Sequence, residues 1–566
     1  TILIIKDNYN HYTVVEEVLK SKGCTVQVID INEDISGIKT DMVIHMRSFY
    51  TENDFSFYLE CGILSLQNLI RHFNKTNQHP KICVVTNGAF VLPNDKHANL
   101  NASTLTGVLR TLENEHEEIN FLQIDISHKI ETDEILQIAT IDFAEKNYKE
   151  IAIRHKTIFL NAIEKTSSVP AKTKQIHTDK TYVVVGGTNG LGLSTVKWLI
   201  QHNAKNILVL SRSGAKDDTK ILFEKYNQEG AFINDVIADV MNIASLKDAL
   251  SSAPNIVGVF YAAGILDDAA FENLSKQQFE NVLNTKAIGA WNMHELTQHL
   301  NLDFFVLYSS AAGIVGSAGQ SNYNAANTFM DALAHFRKAN HQAALSVNFG
   351  TIAEIGLAAR QENRADRLAE QGVTAIQPQD LLTYFDTLFL SSTTQIMAME
   401  IDFNKWAEFN HSTLNNHFYS QVVEATTLVT KNQEVTFTTI DEYNKHIKNK
   451  IKQHISSSTK LAISKIKEDE TFKSLGLDSL HALQLKNKLQ DDFNLSFNVA
   501  VIWQYPTVQK LSDFIAVELN LNEKYSSSKT EVKTAIASNS SPTDIETEVK
   551  NLSLEELMKE LSSKVD

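Results

Sequence analysis

Four short segments carry residue types and spacings that could do chemistry together. In the first, the strand-like run Tyr182–Val185 passes straight into Gly186-Gly187-Thr188-Asn189-Gly190-Leu191-Gly192, and a helical pattern follows over Leu193–His202. Glycines 186, 190 and 192 have the G-x-x-x-G-x-G spacing, a turn that brings backbone N–H groups and a helix N-terminus to a pyrophosphate. In the second, Ile207–Leu210 ends in Ser211-Arg212-Ser213, where a dinucleotide fold reads the adenosine ribose. An acidic residue there would take a free 2′-hydroxyl, whereas Arg212 favours a 2′-phosphate and so NADPH. The third comprises two further strand ends. Asp239 and Val240 suit the adenine edge, and Ala262-Ala263-Gly264 are small enough to admit the cofactor. In the fourth, the strand ending at Ser310 is followed thirteen residues later by Tyr323. The phenol can protonate a carbonyl oxygen as hydride reaches its carbon, and the serine hydroxyl can hold that oxygen. A phenol of pKa near 10 gives up its proton reluctantly at neutral pH, so a cation beside it would help. Singly, Tyr323 reads as a packed aromatic and Ser310 as a turn residue. Jointly the segments point to carbonyl reduction.

These side chains must be positioned by α/β elements. Residues 1–178 alternate short apolar runs (Ile2–Ile5, Val26–Ile29, Met42–His45, Ile82–Thr86 and Phe121–Ile126) with amphipathic stretches such as Tyr12–Ser21 and Leu64–Phe73. That is the rhythm of a parallel sheet. The first strand ends in Lys6-Asp7-Asn8-Tyr9-Asn10, with no glycine to let a phosphate approach, so this block reads as structural. A polar stretch around Pro170 precedes a second α/β series over 179–409. Residues 410–438, rich in Asn, Thr, Ser and Gln, read as a linker. Residues 439–520 show helical periodicity, with Leu480, Leu483, Leu485 and Leu489 as an apolar stripe. The polar tail 521–566 ends in Ser553-Leu-Glu-Glu556, a capping-box start to a possible docking helix.

Composition narrows the function classes. The 566 residues suggest three to four domains, and 43% hydrophobic content can bury their cores. A net charge of −16 argues against a nucleic-acid surface. The longest apolar run, Ile256–Leu266, is too short to span a membrane. No signal peptide is visible, and three cysteines (Cys24, Cys61 and Cys83) suit reduced thiols and a cytoplasmic setting. No cysteine follows Cys83 to serve as a condensing nucleophile, no Gly-x-Ser-x-Gly elbow is present, and nothing calls for a metal. The chain lacks an initiating Met and opens on a strand, as expected of a portion of a longer protein.

Residues 182–350 resemble a ketoreductase of a modular polyketide synthase, a branch of the short-chain dehydrogenase/reductases. In most of that superfamily a lysine lies four residues after the tyrosine. Here Asn327 stands there, and Lys286, in Asn284-Thr-Lys-Ala-Ile-Gly-Ala-Trp291, is the matching basic residue. This exchange is itself a feature of polyketide and animal-type fatty acid synthase ketoreductases. The resemblance implies that Tyr323 donates the proton, Lys286 eases that donation, Ser310 binds the oxygen and Asn327 organises the proton path. Val185 and Phe349 depart from the usual Thr and Trp, and neither removes a catalytic group. The resemblance also implies that the first block is a degenerate dinucleotide fold. Gly264-Ile265-Leu266-Asp267-Asp268 is similar to the signature of B-type ketoreductases. The A-type marker, a Trp eight residues before the tyrosine, is replaced by Val315. Both imply a D-configured β-hydroxyl.

Phe472-Lys-Ser-Leu-Gly-Leu-Asp478-Ser479-Leu480 resembles the attachment site of an acyl carrier protein, with 4′-phosphopantetheine expected on Ser479. With 11 Lys against 10 Asp or Glu over 439–520, this carrier is near neutral, and docking would lean on tethering. A flexible linker of about 30 residues reaches on the order of 30 Å. The expected architecture is therefore two Rossmann-like subdomains, the second catalytic, followed by a four-helix carrier. The implied partners are upstream condensing and acyltransferase domains and a phosphopantetheinyl transferase, with oligomerisation through the upstream domains. Two alternatives stand: the equivalent region of an animal-type fatty acid synthase, and a carrier scaffold with a silent reductase.

Overall fold

The computed structural model describes residues 1–521 except 31–32, 34, 50–54, 94, 144–147, 167–173, 354–367, 370, 411–412, 414–415, 424–436, 438, 460, 478, 494, 496 and 498–499. The tail helix expected after Ser553 lies outside the described residues. The chain divides into two units, Thr1–Thr430 and Lys431–Asp566.

Two seven-stranded sheets build the first unit. Strands β1 (Ile2–Ile5), β2 (Val26–Ile29), β3 (Met42–His45), β4 (Lys81–Asn87), β5 (Phe121–Ile126), β6 (Glu150–Arg154) and β7 (Thr157–Leu160) lie in the order β2-β1-β3-β4-β5-β6-β7. Only β7 runs antiparallel. At the end of β1, Asp7 turns the chain without glycine: its carboxylate accepts from the backbone N–H groups of Tyr9, His11 and Tyr12. That side chain fills the place where a phosphate would need bare backbone.

The second sheet comprises β8 (Thr181–Val185), β9 (Asn206–Ser211), β10 (Phe232–Ile237), β11 (Ile256–Tyr261), β12 (Phe304–Ser310), β13 (Leu345–Phe349) and β14 (Gln395–Ala398). Their order is β10-β9-β8-β11-β12-β13-β14, parallel throughout. Strand order reverses between β8 and β11, which opens a crevice at their carboxyl ends. The central strands are buried on both faces, and accordingly read as continuous apolar runs, such as Tyr182-Val183-Val184-Val185.

The sheets are joined by a helix with no amphipathic pattern. Leu100–Glu115 buries polar Asn101, Ser103, Thr104 and Thr106 along with its leucines, because it is covered on all sides. It lies along the Ser321–Ala339 helix, where a Cβ on Gly107 would stand 2.3 Å from the Asn324 carbonyl oxygen. Only glycine permits that approach. The polar stretch beginning at Asn410 also differs from its linker-like composition. Phe418 and Tyr419 are buried, Phe418 O accepts from Ile163 N at 2.9 Å, and the Arg110 guanidinium lies 4.7 Å over the Phe418 ring.

In the second unit, helices Ile440–Thr459, Ser479–Phe493, Ala500–Gln504 and Val508–Glu518 enclose Ile447, Ile451, Ile455, Leu485, Leu489, Ile502, Leu511 and Ile515. Lys448 and Lys452 both reach Glu468, and Lys450 and His454 both reach Asp492. The Glu468 carboxyl is held below its usual range by hydrogen bonds from those two lysines.

Candidate active site

The glycine-rich turn is shaped by close approach. Gly186 has φ +78°, and a Cβ there would lie 2.9 Å from Ala263 N. A Cβ on Gly192 would lie 2.2 Å from Gly186 O, so the helix Gly190–Gln201 can start hard against the strand end only because that residue is glycine. Gly187 packs over Val184 and Val209, and Thr188 is buried. Asn189 is the helix N-cap, and Leu191 follows Gly190 in the first turn. Asn189, Gly190, Leu191 and Gly192 line one side of a cleft of about 550 Å³. This bare backbone at a helix N-terminus fits the pyrophosphate of a nicotinamide cofactor.

The carboxyl end of β9 has two polar groups. Arg212 is exposed, and the Ser211 hydroxyl is buried without a hydrogen-bond partner among the described residues. Further along, Asp239 is exposed and its carboxylate accepts from Met241 N at 2.9 Å, while Val240 O accepts from Asn292 at 2.9 Å. Ala262, Ala263 and Gly264 continue from β11 into the crevice, and Ala262 and Gly264 line the cleft.

Three polar side chains meet opposite the turn. Lys286 sits in the one wide turn of its helix, Asn284–Ile288, a local π geometry that rotates a side chain off the regular face. Nearly all of it is buried, with Nζ donating to Tyr308 O at 3.0 Å and lying 4.9 Å from the centre of the Tyr323 ring. Ser310, at the end of β12, accepts from Ala312 N at 3.2 Å. Lys286, Ser310 and Tyr323 all line the cleft, as does Leu266. Asn327 lies one turn below Tyr323 and is fully buried. Its Nδ2 donates to Tyr323 O at 2.8 Å, and its Oδ1 has no partner among the described residues. Asp267 and Asp268 stand just outside, pinned to helix residues rather than facing solvent alone: Gln278 and Asn281 donate to Asp267, and Gln320 to Asp268.

Beneath the site lies a layer that motif reading missed. Asn348 Nδ2 donates to Ser309 Oγ at 3.0 Å, to Ser310 O at 3.2 Å and to the Asp331 carboxylate at 2.9 Å. Burial pushes the Asp331 carboxyl up, against hydrogen bonds from Ser346, Asn348 and Ser309 that lower it. This buried network holds the end of β12, and with it Ser310, at a fixed height. The rest of the lining includes an apolar set: Val315, Phe349, Ile352, Leu368, Met399 and Trp406. No spacing in the sequence connects these residues, which come from five separated segments.

Residues 180–354 match the KR domain family, and residues 449–515 match the phosphopantetheine attachment site family. Among curated relatives, mycoketide-CoA synthase of Mycobacterium tuberculosis is 30% identical over 360 residues, covering 60% of this chain and 9% of that protein. A highly reducing polyketide synthase of Emericella nidulans is 36% identical over 245 residues, 42% of this chain and 10% of its own length. The chain thus spans about a tenth of these relatives. Among solved structures, an A1-type ketoreductase superposes with a TM-score of 0.64 at 22% identity, covering 75% of this chain and 93% of that one. The first ketoreductase of the tylosin synthase gives 0.65 at 23% identity, covering 75% and 95%. Fold and matches define a ketoreductase domain joined to a carrier domain. More narrowly, the family matches and the relatives support a region of ketoreductase plus carrier like those of polyketide synthases.

Proposed function

We propose that this chain reduces a β-ketoacyl thioester, carried on a phosphopantetheine arm at Ser479, to the D-configured β-hydroxyacyl thioester with NADPH. The observation that carries the reading is the convergence of Lys286, Ser310 and Tyr323 on one cleft whose other wall is the glycine-rich turn. NADPH, bound along that turn, supplies the hydride for the β-carbon. The chain's own residues do the rest. Ser310 Oγ and the Tyr323 hydroxyl hold the ketone oxygen, and the Tyr323 O–H bond breaks as the new O–H bond forms on substrate. The Lys286 ammonium, 4.9 Å from the phenol ring, offsets the negative charge left on the phenolate. Asn327 Oδ1 is free to accept a hydrogen bond in the path that reprotonates it. The apolar part of the lining fits an acyl chain. Arg212 and the unpartnered Ser211 hydroxyl suit a 2′-phosphate, which supports NADPH over NADH.

NADPH consumption with a simple β-ketoacyl thioester tests the activity. Tyr323→Phe keeps the ring and deletes the proton donor. It should lower kcat by about two to four powers of ten while NADPH still binds. Unchanged turnover in that variant would remove Tyr323 from the reaction.

A further inference from the structure

Two segments line the cleft through only a few residues each. One follows β11 and contains Leu266, Asp267 and Asp268; the other, residues 316–322, leads from Ser310 to Tyr323. Leu266 lines the cleft from the first, and Ser317 and Gln320 from the second. The two are zipped together. Ala269 N donates to Gly319 O at 3.0 Å, Gln320 Nε2 to Asp268 Oδ2 at 2.8 Å, and Asn322 Nδ2 to Asp267 O at 2.8 Å. Asn322 in turn accepts from Tyr323 N at 2.8 Å, so the zipper ends one residue from the phenol.

A carboxylate from the other sheet's half of the unit locks this zipper. Glu115, at the end of the Leu100–Glu115 helix, accepts from Gly319 N through Oε1 at 2.7 Å and from Phe271 N through Oε2 at 2.9 Å. Each oxygen serves a different segment. Its helix neighbours reach the short helix just before that segment, with Arg110 donating to Gly313 O at 2.8 Å and Asn114 to Val315 O at 3.1 Å, but neither bridges the two segments. Two backbone N–H groups on different segments need two acceptors, and a carboxylate offers a separate charged oxygen to each. Gly319 has φ +82°, a conformation glycine adopts readily, and its N–H points to the Glu115 carboxylate.

We infer that Glu115 is a positioning residue for substrate entrance: by fixing the Leu266–Phe271 and Ser317–Gln320 segments against each other, it sets the direction from which the acyl arm reaches Tyr323. The inference rests on the reductase reading above. The N-terminal half of the unit then governs stereochemical fidelity without touching substrate. The cofactor-side turn, Gly186–Gly192, makes no contact with Glu115 in this arrangement of hydrogen bonds.

Glu115→Gln and Glu115→Ala in the full chain test it. Glutamine keeps one acceptor and sets an N–H against the other donor; alanine keeps neither. Hydrogen exchange should speed up in peptides covering 265–272 and 316–322 in both variants, more in alanine. With a simple β-ketoacyl thioester, losing one charge-assisted hydrogen bond should raise KM about fivefold and the minor enantiomer about fivefold, with kcat and the NADPH Kd changed less than about twofold. Faster exchange with unchanged KM and product ratio would overturn the proposal, as would equal loss of substrate and NADPH affinity. If the alanine variant does not fold, the glutamine variant decides. An unmodified chain that consumes no NADPH would instead sink the reductase reading, and the exchange measurement would still report on the strap.

Discussion

Single side chains at this site do their work through what surrounds them. Arg212 stands exposed at the end of β9 beside the buried, unpartnered Ser211 hydroxyl. A charge-assisted contact to a 2′-phosphate contributes about 1.5–3 kcal/mol, or one to two powers of ten in affinity. Arg212→Ala should therefore erase most of the preference for NADPH over NADH, measured as the ratio of kcat/KM for the two. Equal use of both by the unmodified protein would sink that assignment. Glu113 gives a second residue-scale prediction. Its side chain is 13% exposed, 3.8 Å from Lys149. Burial, with Glu150 nearby, pushes its carboxyl up to about 7 against the pull of Lys149 and Arg110. The fold thus prefers the protonated form, whereas the unfolded chain ionises in the ordinary carboxylate range. Between those values the folded state binds more protons, so this group's contribution to stability falls as pH rises towards and through about 7. Thermal melting from pH 5 to pH 8 should show that fall, and Glu113→Gln should flatten it. An unchanged slope would place the pH dependence elsewhere.

At the scale of elements, we expect the segment after β11 to govern how substrate approaches. Asp267 is tied to the Lys276–Leu283 helix by Gln278 and Asn281, and Asp268 to Gln320. With the hydride face of a bound cofactor held by the fold, the approach direction would select the ketone face. We expect a predominantly D product, (3R) for simple unbranched chains, read by chiral chromatography of the reduced thioester. A predominantly L product would leave Leu266–Asp268 without the role proposed for them. Elements also explain which parts of the fold were legible. The β8 turn was readable because one of its glycines is required within the turn itself, Gly192 against Gly186 six residues away. The Leu100–Glu115 helix was not. Enclosed on every side, it has no polar face, and a 3.6-residue pattern needs one to be seen.

For the whole molecule, the question is how substrate is brought to the cleft. Ser479 is the first residue of the Ser479–Phe493 helix. We expect a phosphopantetheinyl transferase and coenzyme A to load one arm there, seen as a single mass increase that Ser479→Ala abolishes. An increase that survives the substitution would put the arm elsewhere. An acyl chain tethered there would have a raised local concentration, and weak docking would suffice. Among the described residues no helix is long and apolar enough to cross a membrane.

What the sequence by itself determined was local chemistry: a glycine turn between strand and helix, a serine at a strand end, a tyrosine on the next helix, a lysine in a helical turn. Each is specified by near neighbours along the chain. Tertiary structure alone decided which of them share a cleft and what holds them there. Asn348 and Asp331 support Ser310 from a strand and a helix that no motif links to it. Phe418 and Tyr419 are buried although their surroundings read as linker, because the Arg110 guanidinium and the Ile163 backbone receive them. Glu115 reaches the entrance from some 200 residues upstream of the loop it holds, accepting from Gly319 at a separation of 204. Hydrogen bonds of that span leave no periodicity or spacing in a sequence, since the two partners meet only after both sheets have formed and packed.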